Sequence, residues 1–297
     1  MLPWRWNAHP RDAAGLVAWV EKAEGHPLRW QTATLGEPLE DLRESALVYI
    51  TAETPPKFSD EEKKTLRAYT DTGGTVLLEA SCGNPAVKGW FAAFVKEVWP
   101  QGELKALEAD HPVYAKPYTI KQKMSVQGIS DGKRTIVYFC PDDVSCTWQG
   151  KPAALKDYVF KWGTNLAVQA QVDQLRTQLA ASPKDKEAAE RLVRLLVMQL
   201  DTPGEALKYA SLLSDDNTKR CLAVADMATE NLPEAACLAL AEWYAGLADS
   251  VTGDPKIAML RRAKASAAQF LKLHPATDPD RTKATKILGK ATVAGVK

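Results

Sequence analysis

Apolar positions in the first hundred residues come in two kinds of run, helical and continuous. From Arg11 to Glu24, Leu16, Val17, Val20 and Ala23 recur at helical spacing and predict an amphipathic helix. Leu28 to Thr34 reads as a short strand. Ala46-Leu47-Val48-Tyr49-Ile50-Thr51 is apolar without alternation, the pattern of a strand covered on both faces. Pro55-Pro56 breaks the chain, and Ser59 followed by Glu62 then gives the signature of a capping box. Leu66 and Tyr69 form the inward stripe of that helix, and Gly73 stands where a left-handed residue would end it. Thr75 to Ala80 is a second apolar strand. Asn84 and Pro85 open another helix that runs to Trp99, with Trp90, Phe91, Phe94, Val95 and Val98 inward. Strand and helix thus alternate from Ala46 to Trp99, which predicts parallel pairing through a right-handed crossover.

The pattern loosens after Pro100. Tyr118 to Ile129 alternates in short stretches, and Arg134 to Phe139 is a strand entered through the turn Ser130-Asp131-Gly132. A helix from about Ala153 through Gly163 closes the region. Beyond Ser182 the chain reads as helices over Lys184–Leu200, Gly204–Leu213, Asn217–Thr229, Pro233–Ser250, Pro255–Leu273 and Asp280–Ala294. Neighbouring helices pair at spacings near those of helix-hairpin repeats, without matching a named repeat. The stripe Leu192, Leu195, Leu196, Met198 and Leu200 reads as core. Composition shifts at the same place: eight of nine tryptophans lie at or before Trp162, and twelve of 17 glycines precede Ala170. The expected organisation is an α/β domain with a mostly parallel sheet over residues 1–170, followed by an all-α domain over 171–297.

Charge narrows the function classes. The 297 residues carry a net charge of +1, and neither side of Ala170 is basic, with 20 Lys+Arg against 21 Asp+Glu before it and 18 against 16 after it. That leaves no electrostatic case for nucleic acid or an anionic membrane surface. No run approaches the roughly 18 apolar residues of a membrane span. Met1-Leu2-Pro3-Trp4-Arg5-Trp6 lacks the apolar stretch of a signal peptide, so the chain as written reads as cytoplasmic, or periplasmic if a leader has been removed. The five cysteines are irregularly spaced and the four histidines form no HxH or HExxH pair, which predicts reduced thiols, no structural metal and no cofactor.

Candidate chemistry gathers at strand ends. An open parallel sheet binds ligands beyond the carboxyl ends of its strands. Three segments leave such ends here and carry Glu53, Ser81 with Cys82, and Asp142 with Asp143. Glu53, Ser81, Asp142 and Asp143 are therefore the expected ligand-binding residues. Cys82 lies just before a helix N-terminus, where the dipole and free amides favour a thiolate and a developing oxyanion. The plainer reading is a small residue in a tight turn. His111 is the default base for Cys82, although Asp110-His111-Pro112-Val113 also reads as a turn anchor. Asp142 and Asp143 suit a cation, a hydroxyl ligand or a solvated loop, and adjacent carboxylates on a strand point apart. The sequence has no GxxxxGK[ST], GxGxxG or GxSxG.

Several of these features recur together in one family. They are Trp6-Asn7 with Pro10, Leu47 to Thr51, Ser59 to Glu62 with Leu66-Arg67, Gly73-Gly74, Ser81-Cys82-Gly83, Asp110 to Tyr114, and Gly163 with Asn165-Leu166. From Trp4 to about Ala170 the chain resembles the bacterial domain-of-unknown-function family four-one-five-nine. That family is similar to the class I glutamine amidotransferase-like superfamily, near its trehalose-utilisation type. The resemblance implies a flavodoxin-like three-layer α/β/α sandwich and no established activity. In catalytic amidotransferases the nucleophile is a cysteine on a strand-to-helix elbow, where Cys82 stands, and a histidine and an acid follow near the last strands. That late histidine has no counterpart here, because Asp142-Asp143 follows the final strand.

Three functional readings follow. The first is a non-catalytic amidotransferase-like domain that binds a small polar ligand, coupled to a helical domain that binds a protein partner. The second is a hydrolase using Cys82. The third is a scaffold without a ligand. The enzyme reading requires a titratable base within about 3–4 Å of the Cys82 sulfur.

Overall fold

The computed structural model describes residues 9–24, 28–122, 124–150 and 157–296. The Trp6-Asn7 motif and the first residues of the helix expected from Ala153 lie outside them. The chain divides into two compact units, Met1–Val20 with Pro27–Ala181, and Glu21–His26 with Ser182–Lys297.

The first unit contains, in order, α1 (Asp12–Glu24) as far as Val20, α2 (Leu39–Arg43), β1 (Leu47–Ala52), α3 (Asp60–Asp71), β2 (Thr75–Ala80), α4 (Pro85–Val98), β3 (Lys105–Ala106), β4 (Gln127–Ser130), β5 (Thr135–Cys140), α5 (Ser145–Gln149) and α6 (Asp157–Ala181). The strand order is β1-β2-β5-β4-β3. β1, β2 and β5 are parallel, with Thr51 opposite Glu79 and Glu79 opposite Cys140. β4 and β3 add an antiparallel edge beyond β5.

The local signals act as the sequence predicts. Ser59 caps α3 in a reciprocal capping box with Glu62, Gly73 takes φ +104° after the helix, and Asn84 caps α4 ahead of Pro85. β2 is buried along its whole length, and its side chains alternate between two cores. Val76, Leu78 and Ala80 pack with Leu66 and Tyr69 of α3 and with Phe91, Phe94 and Val95 of α4. Leu77 and Tyr138 pack on the opposite face with Leu16 and Val20 of α1, Trp148 of α5, and Phe160, Trp162 and Leu166 of α6. The sheet is therefore covered on both sides, and the fold is α/β followed by an all-helical region.

Three expectations change. Residues 28–34 form no strand: nearly all of them are exposed and no neighbouring strand takes up their backbone. The antiparallel edge escapes the pattern because β3 and β4 are only two and four residues long. Helix α6 runs unbroken through Ala170, where composition shifts, as far as Ala181.

The second unit holds α7 (Lys186–Met198), α8 (Pro203–Ala206), α9 (Asp216–Val224), α10 (Glu234–Ala248), α11 (Gly253–Leu273) and α12 (Pro279–Val293). The expected helix Gly204–Leu213 is the short α8 continued as a 3-10 turn over Leu207–Leu212. α10 packs on α11, and α11 on α12. Leu192, Leu196, Leu240, Tyr244, Met259 and Phe270 are buried between these helices.

Candidate functional site

The parallel strands deliver their polar groups to one end of the sheet. Glu79, one residue from the end of β2, is completely buried. It points to the same face as Tyr49 and Thr51 of β1. One carboxylate oxygen accepts from the Tyr49 hydroxyl at 3.3 Å and from the Thr51 hydroxyl. The other accepts from the amides of Val144 and Ser145, both at 3.2 Å, and from the Ser145 hydroxyl at 2.8 Å. Burial pushes the Glu79 pKa above the ordinary value, and these donors oppose the shift. Asp12, at the start of α1, lies 3.1 Å from the same Tyr49 hydroxyl and is also raised by burial. Tyr49 has one proton for two carboxyl groups.

Beyond Glu79 the chain turns sharply. Ser81 is buried, and Cys82 emerges exposed from a single 3-10 turn. Cys82 has φ 54° and ψ 20°, a left-handed conformation, and Gly83 follows with φ 62°. For a residue with a Cβ this costs about 1–2 kcal/mol. The first amides of α4 do not face the sulfur's surroundings freely: those of Ala86 and Val87 donate to Asn84 Oδ1 at 2.9 and 3.4 Å. The α4 N-terminus is thus engaged by its own cap, contrary to the oxyanion role expected of it. Asn84 Nδ2 donates to the Glu53 carbonyl at 3.2 Å and fixes the loop after β1 beside this turn.

A histidine stands next to the sulfur, but it is His9. Its Nε2 lies 3.7 Å from Cys82 Sγ. Its Nδ1 lies 3.1 Å from Gln149 Nε2 at the end of α5, and Gln149 Oε1 accepts from the Arg11 amide at 3.4 Å. With the amide turned this way, Nδ1 accepts and Nε2 carries a proton directed at the sulfur. Rotating the amide by half a turn would offer Oε1 to Nδ1–H and leave Nε2 free to accept the proton of the Cys82 thiol.

The expected ligand residues converge only in part. Ser81 adjoins the sulfur, with Oγ 4.0 Å from Cys82 Sγ. Asp143 Oδ1 accepts from the Ser145 hydroxyl at 3.2 Å and the Cys146 amide at 3.1 Å. Asp142 instead accepts from the Ser125 amide at 3.1 Å. Glu53 is brought to this end through its backbone carbonyl. His111 is elsewhere: its Nε2 is 3.0 Å from the hydroxyl of Thr135, at the start of β5, whereas Cys82 follows the end of the parallel β2. Its Nδ1 accepts from the Val113 amide at 3.2 Å, closing the turn. The geometry therefore puts His9, not His111, at the sulfur. Sequence reasoning missed His9, Gln149 and Glu79. Only Glu79 left a signal, as a lone carboxylate inside the apolar run Leu77-Leu78-Glu79-Ala80.

Residues 4–170 match a family model described as a domain of unknown function (DUF4159). The chain belongs to this family. Within the DUF4159 segment lie all the residues that meet at the strand ends, from His9 to Gln149. No curated protein matches the chain. Among the described residues no helix is long and apolar enough to cross a membrane.

Proposed function

We propose that the DUF4159 segment is a cysteine-dependent hydrolase that works by acyl transfer, with Cys82 as nucleophile and His9 as its proton partner. The observation that carries this reading is the 3.7 Å separation of Cys82 Sγ and His9 Nε2 at an exposed, left-handed elbow. Strained backbone at a strand-to-helix turn is a common way to present a nucleophile. A cysteine nucleophile needs an adjacent base, and the base needs a third group to orient it. Turned so that its Oε1 faces Nδ1–H, the Gln149 amide would orient His9 as an amide does in a Cys-His-Asn arrangement and leave Nε2 as the base.

The chemistry divides into two steps. The thiol gives its proton to His9 as the sulfur attacks an acyl carbon, and His9 passes that proton to the leaving group as its bond to the acyl carbon breaks, leaving a thioester on Cys82. Water then attacks the thioester and gives a proton to His9; the C–S bond breaks, His9 returns the proton to the sulfur, and the acid is released. The cysteine on its elbow supports an amidotransferase-like ancestry. The imidazole, however, comes from the segment before α1 and not from a late strand. The test is alkylation of metal-free protein by iodoacetamide, read at the Cys82 peptide by mass spectrometry. Reaction faster than that of a free peptide thiol, and slowed in His9→Ala, is expected. Equal rates in the two proteins would sink the reading.

The helical unit is proposed to bind a protein partner. What supports this is a groove of about 300 Å³ whose apolar lining (Val197, Met198, Trp243 and Leu247 among it) is flanked by the charged Glu190, Arg194 and Asp215, which suits an amphipathic segment. Trp243→Ala should abolish co-purification of a partner that the intact chain retains; retention would count against it.

A further inference from the structure

We infer that His9, Asp143 and Cys146 form a binding site for a divalent transition metal of the zinc class. One ligand atom from each of the three lies within 4.8 Å of the others. The three come from separate places: the segment before α1, the loop after β5, and the first turn of α5. Imidazole nitrogen, carboxylate oxygen and thiolate sulfur together make a borderline-to-soft donor set, which suits zinc or cobalt and not magnesium or calcium. Bonds of about 2.0–2.3 Å at tetrahedral angles set ligand atoms about 3.3–3.8 Å apart. Closing the triad therefore takes about 1 Å, within the reach of side-chain rotation. Three protein ligands with an open fourth position is also the usual form of a reactive zinc site.

The outer partners of such a site are present. A metal-bound histidine is normally fixed through its other ring nitrogen, and ligating carboxylates are themselves hydrogen-bonded. With its amide turned so that Oε1 faces Nδ1–H, Gln149 would hold a His9 bound through Nε2 in this way. Asp143 is held by the Cys146 amide, and the Ser145 hydroxyl, 2.8 Å from the buried Glu79, lies 3.2 Å away. Asp143 and Cys146 stand three residues apart but His9 lies far upstream, so the set leaves no local metal motif in the chain.

Metal binding has a consequence for Cys82, and this part rests on the hydrolase reading. A neutral imidazole that coordinates through either nitrogen carries its proton on the other. Metal-bound His9 therefore cannot accept a proton from Cys82, and the metal switches the thiol–imidazole pair off.

The experiment is titration of the metal-free, reduced full chain with cobalt(II) chloride, followed by the thiolate-to-cobalt charge-transfer absorption, with zinc chloride as competitor. One equivalent should bind and zinc should displace it. His9→Ala and Cys146→Ser should each weaken binding by more than about 100-fold, and Gln149→Ala by about 10–100-fold. Asp143→Asn should keep the sulfur band at reduced affinity, and Cys82→Ser should leave both band and affinity unchanged. Unfolding midpoints of the variants show that each is folded. The absence of a sulfur band, its persistence in Cys146→Ser, or its loss in Cys82→Ser would each overturn the site. The hydrolase reading is judged separately, by the His9 dependence of Cys82 alkylation in metal-free protein.

Discussion

Cys82 Sγ and His9 Nε2 approach to 3.7 Å although 73 positions separate them in the chain. β2 delivers the cysteine, and the segment ahead of α1 delivers the histidine. Both depend on the core face that holds α1 and α5 against the sheet. Gly15 of α1 lies so close to the Trp148 carbonyl of α5 that a Cβ at this position would overlap it. That close approach brings Gln149 to His9.

Removing the imidazole should lower the reactivity of Cys82. In His9→Ala, iodoacetamide alkylation of Cys82 is expected to slow by at least about tenfold, with a smaller loss in Gln149→Ala. Mass spectrometry of the modified peptides measures both.

The elbow should trade stability for exposure of the sulfur. Glycine adopts a φ near +54° without the Cβ clash, so Cys82→Gly should be about 1 kcal/mol more stable than Cys82→Ala. Urea unfolding of the two variants makes the comparison, and equal midpoints would remove the strain from the account.

Glu79 should make stability depend on pH in a defined direction. Its folded-state pKa is raised by burial above an ordinary value of 4.5. Its contribution is therefore fully present below about pH 4.5 and is lost as pH rises through the folded-state value. Glu79→Gln removes the titration while keeping the shape. The stability of the wild type relative to this variant should fall as pH rises, and a difference independent of pH would contradict the assignment.

His111 should matter for folding and not for the sulfur. His111→Ala removes the bonds to Thr135 and Val113 and is expected to cost about 1–3 kcal/mol, with the alkylation rate of Cys82 unchanged. Burial lowers the His111 pKa below 6.5. The stability it supports is complete above about pH 6.5 and declines as pH falls toward the folded-state value. Unfolding midpoints measured across this range test both statements.

In the helical unit, His274 should work with the opposite sign. It lies 2.7 Å from Glu234 and 2.9 Å from Asp278, and these carboxylates raise its pKa. Its contribution is present below about pH 6.5 and is lost as pH rises through the folded-state value. His274→Gln should flatten that part of the pH–stability curve.

The sequence by itself determined what depends on neighbours in the chain. Ser59 and Glu62, Asn84 and Pro85, and Gly73 act over three or four residues, so caps and breaks set where α3, β2 and α4 begin and end. The continuous apolar runs at Leu47 and Thr75 showed strands buried on both faces. The elbow at Cys82 was legible for the same reason. The short strands β3 and β4 were not, because two to four residues carry no period, and the exposed run at 28–34 imitated a strand without having a neighbour to pair with. The histidine partner was a matter of tertiary structure alone. His111 lies nearer to Cys82 in sequence than His9 does, yet parallel β2 and β5 run side by side and place it at the opposite end of the sheet. Packing of α1 on α5 and on one face of the sheet goes with the meeting of His9, Asp143 and Cys146. No local pattern encodes that meeting, because it is fixed by which faces bury against each other.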